Sequence, residues 1–233
     1  MRAARSAVAI ALALLVPASA IAADPDATNP TCPKQLNWST YRQMQFSVDT
    51  SSGQRVLKAE GQLDEDVPER LKEALAANAP IDEIWIRSPG GSARAGNAAG
   101  RIIREASLPT RVPAGWACFS ACNFMFMGGP IRYVDAGAHF VVHMFTHVTD
   151  KDAIRAEAGR DADSAAALIG EIEQDSALLA SEDNDFLIRM GVSRKLLTDV
   201  MYRQQAISGD DDRSTRRCLT AEETVKYNVA NAQ

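Results

Sequence analysis

Apolar residues along this chain change period several times, and each change predicts an element. Residues 44–48 (Met-Gln-Phe-Ser-Val) and 55–59 (Arg-Val-Leu-Lys-Ala) flank Asp-Thr-Ser-Ser-Gly. Two short apolar-rich runs around a turn-forming cluster predict a β-hairpin. From Val67 and Pro68 the spacing becomes helical, with Leu71, Ala74 and Leu75 on one face and the proline tolerated in the first turn. Ile84-Trp-Ile reads as a core strand that leaves sharply through Ser88-Pro-Gly-Gly91. Residues 96–106 predict a helix with Ile102, Ile103 and Ala106 inward, stopped before Pro109. Residues 131–134 and 140–143 predict two strands separated by Ala-Gly-Ala. Beyond Ser164 the pattern is one long helix to Met190, carrying Leu168, Ile172, Leu179, Phe186 and Met190, with Gly191 as its cap. Ser193 starts another helix, with Leu196, Leu197 and Val200 inside. Thr220 stands three residues before Glu223, a capping box that starts the last helix. Strand and helix alternate between residues 81 and 143, so the fold class is α/β. The sheet should be largely parallel, with crossover helices and a long helix in the C-terminal half.

The N-terminus breaks this pattern. Met1-Arg-Ala-Ala-Arg5 is basic, residues 7–16 are apolar but too short to span a bilayer, and Pro17 ends the run. Ala20-Ile-Ala22 places small residues where a signal peptidase reads them. The expected organisation is a cleavable signal over residues 1–22, an N-terminal extension over 23–43 and a catalytic domain over 44–233. No later stretch is apolar enough for a membrane span, so the mature chain is expected to be periplasmic.

Export changes the meaning of the four cysteines. In an oxidising compartment an even number favours disulfides, and three connectivities are open. Cys118 with Cys122 and Cys32 with Cys218 is the preferred set. The first pair is close in sequence, and the second ties the N-terminal tail to the C-terminal part. A net charge of -5 announces no basic face for nucleic acid.

The candidate chemistry lies in the middle of the chain. Ser120 is the one serine in the small, apolar run 116–129, at the start of an expected helix. Helix N-termini offer free N–H groups that can stabilise an oxyanion, although a plain N-cap serine looks the same in sequence. Gly90 and Gly91 permit backbone turns closed to other residues and the close approach of a ligand. There are three histidines, His139, His143 and His147. Packing or surface roles suit His139 and His147. A zinc site from Cys118, Cys122 and His143 is conceivable, but disulfide formation argues against it.

A glycine turn, then a serine at a helix start, then a histidine at a strand end: this order resembles the proteolytic subunit of Clp protease. The resemblance runs from about Arg55 to Asn228. It includes Ser88-Pro-Gly-Gly91, the lead into Ser120, Gly129-Pro-Ile-Arg-Tyr before the strand to His143, and Arg217-Cys-Leu-Thr-Ala-Glu-Glu-Thr-Val-Lys-Tyr. It implies the ClpP/crotonase-like fold, with Ser120 as nucleophile, His143 as general base, and the Gly91 and Ala121 amides as oxyanion donors. Counting back from the tail puts Asp212 at the family's aspartate; Asp210, Asp211 and Asp199 stay open because residues 203–210 look inserted. The implied activity is serine endopeptidase action on a peptide or protein substrate, with no cofactor and with homo-oligomers allowed; the family works with ATP-driven unfoldases, and export to a compartment poor in ATP makes the expected activity ATP-independent. A non-catalytic peptide-binding envelope protein, or a crotonase-like thioester hydrolase, are the rival readings, since fold does not fix function.

Overall fold

A computed structural model describes residues 25–26, 29–145, 151–204 and 216–232. The expected signal segment, His147 and Asp210, Asp211 and Asp212 lie outside the described residues. The described part begins with a two-stranded ribbon, Pro25–Asp26 (β1) against Asn29–Pro33 (β2). The expected hairpin follows as Gln45–Asp49 (β3) antiparallel to Val56–Glu60 (β4). Helix Val67–Ala77 (α1) buries Val67 and Leu71, and Glu83–Arg87 (β5) carries the fully buried Ile84 and Ile86.

Helix Ala93–Glu105 (α2) starts three residues earlier than its apolar pattern suggests. Ser92 caps it by accepting the Ala95 amide at 3.2 Å, so a polar cap extends the helix beyond its buried stripe. The apolar pattern does not show the short strands Thr110–Val112 (β6) and Ala117–Phe119 (β7). Cys122–Met127 (α3), Arg132–Val134 (β8) and His139–Val142 (β9) complete the central part. Lys151–Ala158 (α4) and the 29-residue Ala162–Met190 (α5) follow. Gly191 closes α5 at φ 68°, the left-handed conformation its type favours. The segment expected as a further helix is a π-helical turn, Leu196–Val200, running into a 3₁₀ turn, Met201–Arg203; Leu196, Leu197 and Val200 are buried as expected. Arg217–Cys218 (β10) precedes Ala221–Lys226 (α6), which carries the Thr220–Glu223 capping box.

Beyond the β1–β2 ribbon, the described strands form two sheets rather than one. The larger has the order β3-β4-β5-β6-β8, parallel from β4 onward. The smaller has the order β10-β9-β7, with β7 parallel and β10 antiparallel to β9. The two meet where Ser88, just past β5, bridges Cys118 in β7. Helices α2 and α3 pack between these sheets and α5, around a core that includes Ile103, Phe124, Phe126, Phe140 and Phe186. No helix among the described residues is long and apolar enough to cross a membrane.

One carboxylate is held inside this core. Asp183 on α5 is 4% exposed and accepts from Asn97 Nδ2 on α2 at 3.0 Å. Burial pushes its pKa up to about 6. The Tyr202 hydroxyl is pushed up to about 12, by burial first and then by Asp183. A carboxyl whose pKa rises on folding stabilises the fold below its unfolded pKa, and that stability is lost as pH rises through the folded value. The window is therefore about pH 4 to 6, and a shift of this size is worth about 3 kcal/mol. Asp183→Asn keeps an oxygen for Asn97 and removes the charge. It should melt several degrees above the wild type at pH 8 and lose that advantage at pH 4, in melting curves recorded at both.

Candidate active site

Three loops meet at the junction of the two sheets. The first is the exit from β5. The Ser88 hydroxyl accepts the Gly90 amide at 3.0 Å, the Gly90 carbonyl accepts from Leu63 N at 2.8 Å, and Ser92 N donates to the Leu63 carbonyl at 2.8 Å. These bonds fix Gly90 at φ 90° and Gly91 at φ 145°, which only glycine adopts without strain. A Cβ on Gly90 would stand 2.6 Å from the Ser120 Cβ, so the glycine loop touches the serine turn directly.

The second loop is the turn from β7 into α3. Ser120 lies between them at φ 59°, a left-handed conformation that costs a non-glycine residue free energy. Such a strand-to-helix elbow lifts a serine hydroxyl out of the backbone path. The Cys118–Cys122 disulfide spans the elbow, and Ser120 N donates to the Val141 carbonyl at 3.4 Å. Asn123, fully buried on α3, donates from its backbone N to the Ser120 carbonyl at 2.9 Å and from Nδ2 to the Val141 carbonyl at 2.8 Å. One residue thus ties the elbow to β9. A polar residue in the apolar run Cys-Asn-Phe-Met-Phe-Met was the available signal for it.

The strain at Ser120 is testable. Ser120→Gly relieves it and Ser120→Ala does not, so the glycine variant should be more stable than the alanine variant by about 1 kcal/mol in chemical unfolding.

The third loop is the end of β9. The strand stops at Val142, and His143 follows directly. Its Nε2 lies 2.6 Å from Ser120 Oγ. When Nε2 carries no proton, the hydroxyl donates to the imidazole, the geometry a general base requires. The Phe119 ring packs on the imidazole with centroids 4.6 Å apart. His139, at the start of the same strand, is half-buried, and burial lowers its pKa.

The structure therefore brings together Ser120, His143, Gly91 and Ala121. Among the described residues the Gly91 and Ala121 amides donate to no protein acceptor, while those of Gly90, Ser92 and Ser120 do. Asp199 is elsewhere: it bonds Thr198 Oγ1 at 3.2 Å and lines an open groove with Ser181, Arg194 and Tyr202. All four cysteines are paired, Cys118–Cys122 and Cys32–Cys218. The first bond removes both sulfur ligands from the zinc set conceivable from sequence. No group of three or more metal-ligating side chains occurs among the described residues.

No protein-family model matches the sequence. No curated protein matches it either. Solved structures do. An Asn-to-Asp mutant of ClpP1 from Listeria monocytogenes superposes with a TM-score of 0.51 at 14% identity, over 76% of this chain and 88% of that one. ClpP1 from Listeria monocytogenes is similar with a TM-score of 0.48 at 15% identity, over the same shares. An identity this low speaks to architecture, and the largely parallel sheet with its crossover helices agrees with it: this chain has a ClpP-like α/β fold.

Proposed function

We propose that this protein is a periplasmic serine endopeptidase that works without ATP. The observation that carries the reading is the 2.6 Å contact between His143 Nε2 and the hydroxyl of a serine in left-handed conformation. In this reading His143 takes the Ser120 proton as the oxygen attacks a peptide carbonyl. The carbonyl oxygen becomes an oxyanion, and the Gly91 and Ala121 amides, which donate to no other described group, hold it. The imidazolium then gives its proton to the leaving amine. Water enters by the same route to release the acyl group and restore the serine. An aspartate, Asp212 by the sequence match, would orient the imidazole. Two disulfides and the basic-apolar N-terminus support an exported protein, away from cytosolic nucleotide and coenzyme A.

The test uses the mature, oxidised protein and an unfolded polypeptide such as reduced, alkylated casein, with no nucleotide added. New peptide termini should appear and should be abolished by prior treatment with a fluorophosphonate. Intact polypeptide recovered after prolonged incubation, with Ser120 verified as unmodified, would favour a binding protein instead.

A further inference from the structure

The N-terminal extension enters the site from behind. Residues 29–40 are fixed at two points. Cys32 is bonded to Cys218 in β10, and Cys218 N donates to Thr31 Oγ1 at 3.2 Å. Asn37 accepts the Ala117 amide of β7 at 3.0 Å through its carbonyl, and Arg87 Nη1 at 3.2 Å through its side chain. Between them the segment clasps both neighbours of β9, the strand that leads into His143. Cys32, Cys218 and Val141 form a small buried cluster of their own, with Leu36 and Phe119 packed against it.

Trp38 sits next to the second anchor. Its ring stacks on Phe119 with centroids 5.6 Å apart and planes 21° apart. Phe119 in turn lies on the His143 imidazole at 4.6 Å. The Arg216 guanidinium covers Trp38 at 5.5 Å. The result is a column of Arg216, Trp38, Phe119 and His143. An imidazole that must meet a hydroxyl needs its ring plane held, and displacement by about 1 Å costs about a hundredfold in rate. Phe119 precedes the nucleophile on β7, so one ring contacts the base and adjoins the serine. Trp38 stacks on this ring, which also packs against the cluster of Cys32, Val141 and Cys218.

We infer that the disulfide-anchored N-terminal extension is a working part of the site, with Trp38 as a positioning residue that acts through Phe119 on His143. The rate consequence rests on the serine-hydrolase reading, whereas the placement of the imidazole does not. Trp38 touches no reacting atom. It limits the rotation of Phe119, which limits the rotation of the imidazole. A flat aromatic surface is required rather than bulk alone, because stacked rings hold an orientation that an aliphatic side chain does not.

The experiment compares Trp38→Ala, Trp38→Leu and Trp38→Phe in the full mature chain, with melting temperature measured on each. Two readouts are taken: the imidazole C–H proton signals of His143, assigned by their absence in His143→Ala, and the rate of fluorophosphonate addition to Ser120. The alanine and leucine variants should shift or broaden the His143 signals and slow labelling by tenfold to a hundredfold. Trp38→Phe should restore both, with all three folded. His143 signals unchanged in Trp38→Ala would overturn the inference, as would a phenylalanine variant no better than leucine. If the wild type itself takes no label, the hydrolase reading falls, and the His143 signals alone decide the positioning role.

Discussion

Ser120→Ala and His143→Ala should each lower peptide hydrolysis by about 10⁴-fold to 10⁶-fold, and the double variant should lose no more than the worse single one. The reason is geometric. At 2.6 Å the two side chains share one hydrogen bond, and each is useless without the other. A serine with no base is a neutral alcohol; a base with no nucleophile activates nothing in this mechanism. What survives in either variant is the contribution of substrate binding and of the Gly91 and Ala121 amides. Values of kcat/KM on one peptide, for the wild type, both single variants and the double, decide it. Losses that multiply would mean that Ser120 and His143 act independently. The same series ranks the carboxylates: Asp212→Asn should cost orders of magnitude if the tail match is right. Loss with Asp210→Asn or Asp211→Asn instead would move the partner without touching the serine–histidine pair. Asp199→Asn should leave turnover unchanged, since Asp199 bonds Thr198 and lines a different groove.

Removal of the Cys32–Cys218 bond should be the largest single loss of stability. The bond joins residues 186 apart in sequence. In the chain-entropy account a loop of that length restricts the unfolded state by about 5 kcal/mol, near the top of the range measured for natural disulfides. Its buried sulfurs also pack with Val141 and Phe119, so reduction loosens the strand behind His143 as well. Cys32→Ala combined with Cys218→Ala should lower stability in urea unfolding by about 4 kcal/mol, with a steeper slope because the unfolded chain without the cross-link is less compact. The Cys118–Cys122 bond closes a far shorter loop, so Cys118→Ala with Cys122→Ala should cost less stability. An equal loss from both pairs would contradict the loop-length argument.

The sequence displayed elements whose cause is local. Gly191 ends a helix because the left-handed cap needs no Cβ, and Thr220 with Glu223 starts one because each side chain answers the other's amide. Ile84 and Ile86 announced a buried strand by composition. Elements whose cause is distant were hidden. Strands β6 and β7 have three residues each, too short for a period, and exist because β5, β8 and β9 supply their partners. The division into two sheets follows from those pairings, which no local pattern encodes. The π-helical turn at Leu196–Val200 buries the same residues that a regular helix would, so its apolar pattern gave no warning.

At the site, Ser120, His143 and the glycine loop were legible through their order along the chain, since a serine at a helix start or a glycine pair after a strand has an ordinary explanation when taken alone. Trp38 was not. It reads as one aromatic in a polar, proline-bearing tail, and only the Asn37 and Cys32 anchors bring it to Phe119. Asn123 is ambiguous in the sequence, since a single asparagine in an apolar helix can cap, pack or bind, and its bond to the Val141 carbonyl depends on tertiary structure.

The central claim is that Ser120 is an activated nucleophile and not a cap residue at a helix start. Labelling of the mature, oxidised protein with a fluorophosphonate, followed by peptide mapping, tests it most directly. One adduct should form, on Ser120, and it should vanish in Ser120→Ala and form at least about a thousandfold more slowly in His143→Ala. A folded protein that takes no label, or that takes it on another residue with Ser120→Ala unaffected, would contradict the account.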